Sequence, residues 1–137
     1  MEPNNPDLIR EYDRVSKVVS RNLAANYEKQ AQYEEKTGNW QSAARSWSRS
    51  SDGKPEDPVA ARRAAQAMLK ASADLHRAQS YAQKAVLLDG KNVENLTVLA
   101  RVYLAAGLKL NAIRELEKAA QLAPKDEMVN NLLREVR

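Results

Sequence analysis

Four small or apolar positions recur at one fixed interval in the second half of the chain. Ala78, Ala85, Leu88 and Gly90 are followed 34 residues later by Ala112, Ala119, Leu122 and Pro124. Going back 35 residues from Ala78 reaches Ala43, with Trp40 and Trp47 flanking it, Gly38 at a turn and Pro55 near the end. A period of this length holds two short helices and their turns. One such pair cannot cover its own apolar face, so neighbours must stack on it, and the interval commits the chain to an array of helix pairs.

Local signals agree. Asn5-Pro6 and Asp57-Pro58 each offer an N-cap followed by proline at the first helical position, and Asp126 can cap a helix after the break at Pro124. Gly38, Gly53, Gly90 and Gly107 stand where helices can end in a left-handed residue. Between these marks run helical periodicities, with no alternating strand-like segment. From Asp7 to Lys36 the stripe Leu8, Tyr12, Val15, Val19, Leu23, Tyr27, Ala31 advances by three or four and predicts one long helix. In the third unit, Leu96, Leu99 and Tyr103 share a face around Ala100. Ala112, Leu116, Ala119 and Leu122 form the facing stripe. The small residues let two antiparallel helices cross closely. With no Phe, only four Gly and Ala throughout, the expected class is all-α.

A helix-turn-helix unit of this length, with small residues at these positions, resembles the tetratricopeptide repeat. The resemblance covers roughly residues 24–125 and implies a right-handed superhelix of about three pairs. Its parts would be an N-terminal helical extension at 1–23, repeats at 24–57, 58–91 and 92–125, and a capping helix at 126–137. Departures from the pattern are Ala73 at the usual turn glycine, Arg62 at a usual bulky apolar position, Gln30 at a usual leucine and Ser50 at a usual small residue. The stretch RNLAANYEKQAQYEEKTGNWQSAARSW also resembles the repeat-bearing tails of larger bacterial proteins, some of which carry a J-domain.

Chemistry is sparsely represented. Without cysteine there are no disulfides, thiolate nucleophiles or thiolate zinc sites. His76 stands alone and reads as a helix-surface residue. Ser42, Ser46, Ser48, Ser50 and Ser51 lie in no nucleophile elbow, and no Gly-rich phosphate loop occurs. Trp40 and Trp47 are seven apart on one helix face and read as core. Lys and Arg outnumber Asp and Glu by nine to eight over residues 1–54, five to four over 55–90 and eight to six over 91–137. Charge this even gives no phosphate-tracking face. An enzyme, a cofactor and a nucleic-acid partner are therefore not expected. The start has no apolar signal region and no run spans a membrane, so a cytoplasmic protein is expected.

What the resemblance implies is a protein-interaction scaffold whose concave wall is lined by the first helix of each pair. The positions that grip a chaperone's C-terminal carboxylate in some members read Glu28, Gln32, Ala64, Glu94 and Val98 here, without the required cations. The wall instead offers Ala60, Ala64 and Ala67 as a small apolar floor, with Arg63, Lys70, Thr97 and Arg101 around it. Such a groove suits an acidic, amphipathic segment. Against this stands the reading that the alanines only allow close helix packing. A second surface is the seam Leu8, Tyr12, Val15 and Val19, which suits a homo-oligomer.

Overall fold

The computed structural model describes residues 5–137, and all regular structure among them is helical. The seven helices are α1 (Pro6–Lys36), α2 (Trp40–Gly53), α3 (Pro58–Lys70), α4 (Leu75–Leu88), α5 (Val93–Ala105), α6 (Lys109–Leu122) and α7 (Glu127–Val136). Each packs on the next in chain order, and α3 also touches α5, the stacking of a helical-repeat superhelix. None of the described helices is long and apolar enough to cross a membrane.

The expected caps form. Asn5, Asp57 and Asp126 accept from the backbone N–H of Asp7, Val59 and Val129, and Asn39, Asp74 and Asn92 do the same for α2, α4 and α5. Each such cap is worth about 1 kcal/mol.

The turn glycines behave less uniformly. Gly38 and Gly107 have φ of 77° and 78°, and there the absence of Cβ is required. Gly90 has no left-handed backbone, and Gly53 is the last residue of α2. At Gly53 the demand is space: a Cβ would lie 2.8 Å from the Ser20 carbonyl oxygen and 3.1 Å from the Ala24 Cβ, where α2 crosses α1. In the second pair the left-handed residue is Ser72, at φ 51°, not Ala73. The α3–α4 turn holds four residues, Ala71 to Asp74, where the α1–α2 and α5–α6 turns hold three. That insertion explains why the 34-residue interval points at the wrong residue.

The core runs from Ala31 through Trp47, the alanines of α3 and α4, and Leu96, Leu99 and Leu116, to Val129 and Leu133 of α7. Leu122 and Leu88, expected in the stripes, are more than a third exposed, each being the last residue of its helix. Four of the five serines in α2 are buried: Ser46, Ser48, Ser50 and Ser51. There they act as small packing residues. Ser48 Oγ donates to the Ala44 carbonyl at 2.7 Å, and Ser51 Oγ meets Lys84 Nζ at 3.1 Å.

Two polar links tie the pairs together. Glu35 on α1 accepts from Trp47 Nε1 at 2.6 Å and pairs with Arg63 Nη1 at 3.2 Å, which joins α1, α2 and α3. The Arg63 guanidinium also lies 5.7 Å from the Trp47 ring centroid. Farther along, the buried Asn95 donates to the carbonyls of Ala85 and Asp89 at 3.2 and 3.1 Å and accepts from Arg62 at 3.2 Å. Arg62 thus fills its unusual position as a buried cation, balanced by Glu94 at 3.2 Å.

Candidate interaction surface

A cleft of about 300 Å³ opens between the end of α3, one face of α5 and the start of α7. Helical spacing builds its long wall, since Val93, Thr97 and Arg101 follow one another at intervals of four along α5. Leu69 and Lys70 come from the last turn of α3, Asp126 is the N-cap of α7 and Met128 lies in its first turn. The floor is apolar: Leu69, Val93, Val98 and Met128. Thr97 adds no free donor, because its Oγ donates to the Val93 carbonyl at 2.7 Å.

Charges of both signs ring the cleft. Lys70 Nζ lies 4.1 Å from the Trp40 ring centroid, and Arg101 Nη2 rests against Met128 Sδ at 3.3 Å. Neither forms an ion pair among the described residues. The acidic groups beside them are occupied: Glu94 pairs with Arg62, and Asp126 caps α7 through the Val129 N–H. Two cations without an ion-pair partner among the described residues thus stand over an apolar floor that also carries the Glu94 and Asp126 carboxylates.

Three of the six residues expected to bind a partner meet in this cleft: Lys70, Thr97 and Arg101. Two others do not reach it. Ala64 and Ala67 are 0% exposed and Ala60 is buried with them, in the packing of α3 against its neighbours. Arg63 lies outside this cleft, where it pairs with Glu35 and lies over the Trp47 ring. Sequence reasoning missed Leu69, Val93 and Met128. The first two sit beside residues it named, but Met128 belongs to α7, and no periodicity within one helix pair points to it.

The N-terminal seam is open. Leu8, Tyr12, Val15 and Val19 are 49%, 74%, 49% and 49% exposed, and every residue from Pro6 to Val19 faces solvent. His76 is exposed in the first turn of α4, and no group of three metal-ligating side chains occurs among the described residues. One side chain has a displaced pKa. Burial and the Asp52 carboxylate, 3.0 Å away, push the Tyr81 phenol above its ordinary value, and nothing about its placement suggests chemistry.

The sequence matches no known family profile and no curated protein. Its likeness is to solved structures. The first tetratricopeptide domain of Spaghetti (RPAP3), solved with the HSP90 peptide SRMEEVD, superposes with a TM-score of 0.77 at 20% identity, covering 85% of this chain and 91% of that one. The Arabidopsis OM64 tetratricopeptide domain gives 0.78 at 16% identity over 86% and 97%. The TPR2B domain of yeast Sti1, in a complex with pHsp70, gives 0.75 at 17% identity over 83% and 95%. Likeness spanning nearly the whole of each domain identifies this chain's fold as that of a tetratricopeptide-repeat domain.

Proposed function

We propose that the chain is a non-catalytic scaffold that holds a protein segment bearing apolar and acidic side chains in the cleft between α3, α5 and α7. The carrying observation is the pair of unmatched cations, Lys70 and Arg101, above the apolar floor of Leu69, Val93 and Met128. Domains of the same fold have been solved with peptides bound, so holding a segment is a known use of this architecture. Apolar burial would supply most of the affinity, while the cations set orientation and association rate.

The partner differs from a chaperone tail held by its terminal carboxylate. Glu28, Gln32, Ala64, Glu94 and Val98 put no cation where that grip is made. A cytoplasmic setting belongs to the same proposal. Selection from a random peptide display library tests it. The parent should enrich peptides with Asp or Glu beside large apolar residues, and the Lys70→Glu/Arg101→Glu variant should lose the acidic enrichment while keeping its helical spectrum. The same acidic enrichment on both proteins would move the binding surface elsewhere.

A further inference from the structure

The first half of α1 is built for a different task from the second. Ala24 and Ala31, seven apart, hold the helix against α2, yet seven and fourteen residues before Ala24 that stripe continues as Lys17 and Arg10. The apolar row sits on the other side. At 3.6 residues per turn, Leu8, Tyr12, Val15 and Val19 lie roughly 120–180° around the helix from Ala24. Their steps of four, three and four follow the 3.5-residue period of a two-helix seam. Ile9, Leu23 and Val18, all about half exposed, flank it on either side.

This row is directed away from the chain's own repeats, so no described segment can cover it. Most of its charges are matched within the chain, by Arg10 with Asp7, Arg14 with Glu11, and Arg21 with Glu56, and the remaining Asp13 and Lys17 are one of each sign. The surface therefore neither attracts a strongly charged partner nor repels a copy of itself. Residues 6–19 span about 21 Å of helix with no tertiary support, a length that is marginal as an isolated helix.

We propose that residues 6–19 pair two copies of this chain as an antiparallel coiled coil, with Leu8 of one copy against Val19 of the other and Tyr12 against Val15. Antiparallel pairing follows from the rest of α1. The repeats hang from its C-terminal end, so parallel pairing would force both stacks to one end of the seam, whereas a two-fold antiparallel pair sets them at opposite ends. A seam of four such side chains per chain falls well below the ~800 Å² per partner of a standard interface. The expected dimer is therefore weak and visible only when concentrated. It is independent of the cleft described above.

Sedimentation equilibrium from about 1 μM to 1 mM should show the mean mass rising from one chain toward two. The Val15→Asp/Val19→Asp variant should stay at one chain throughout. Both positions face solvent in the single chain, so its melting temperature under dilute conditions should match the parent's. The chain has no cysteine, which allows a direct test of direction. A mixture of Tyr12→Cys and Val15→Cys chains should oxidise mainly to the mixed disulfide, because those positions face each other only in the antiparallel register. A parent that remains one chain over the whole range, a double-aspartate variant that associates equally well, or a dominant Tyr12→Cys homodimer would each overturn the proposal.

Discussion

Replacing Glu35 with alanine removes the one carboxylate that holds three helices together, and its cost can be worked out contact by contact. Its first partner is the indole N–H of the buried Trp47, at 2.6 Å. With the acceptor gone that donor is left unsatisfied, at about 1–3 kcal/mol. Its second partner, Arg63, has a side chain 42% exposed. That guanidinium can regain water, so the lost pair adds only about 0.2–1 kcal/mol. The sum is about 1.2–4 kcal/mol, and for a domain of this size the melting temperature should fall by roughly 4–14 °C. Glu35→Gln keeps an acceptor for the indole and should cost about 1 kcal/mol. In a Trp47→Phe background, which has no N–H to strand, Glu35→Ala should cost markedly less than in the parent. Urea and thermal unfolding followed by far-ultraviolet circular dichroism measure all four proteins. A Glu35→Ala variant within 0.5 kcal/mol of the parent, or Glu35→Gln as damaging as Glu35→Ala, would refute the reasoning.

Three further perturbations follow from the backbone. Ser72→Gly should stabilise the chain by about 0.5–1 kcal/mol, because it relieves a left-handed residue; a lower urea midpoint would contradict this. Gly53→Ala should destabilise by about 1–3 kcal/mol, since its methyl group meets the Ser20 carbonyl at the α1–α2 crossing. A variant as stable as the parent would show that the crossing yields freely. Removing residues 126–137 should lower the melting temperature by more than about 5 °C, because Val129 and Leu133 leave the core, and an unchanged melt would deny α7 its capping role.

The helices were legible because their signals are local. Asn5-Pro6, Asp57-Pro58 and Asp126 announce helix starts through chemistry confined to two or three residues, and the spacing of Ala78, Ala85, Ala112 and Ala119 follows from close crossing. What stayed hidden depends on register between helices. Nothing near Arg63 signals that Glu35, 28 residues earlier, takes up its charge, and nothing near Arg62 signals Asn95, 33 residues on. The cleft was half legible for the same reason: Lys70, Thr97 and Arg101 lie on first helices of repeats, but Met128 arrives from the cap. Ala64 and Ala67 show the limit of composition. A stripe of small residues looks the same whether it floors a groove or lets two helices touch, and only burial separates the two.

Asn95 has a bearing on how a segment would be received. Its amide ends α4 by taking the carbonyls of Ala85 and Asp89, and its oxygen holds Arg62 of α3. Three helices from two repeats thus converge on one buried side chain, beside the cleft whose walls are α3 and α5. Rotation of one repeat against the next would break several of these bonds at once, so the cleft exists in its receptive shape before anything enters it. A preformed receptor spends little ordering entropy on closure. The heat-capacity change of binding should then scale with the apolar area of the incoming segment alone, and calorimetry over a range of temperatures should find no added contribution from folding of the receptor.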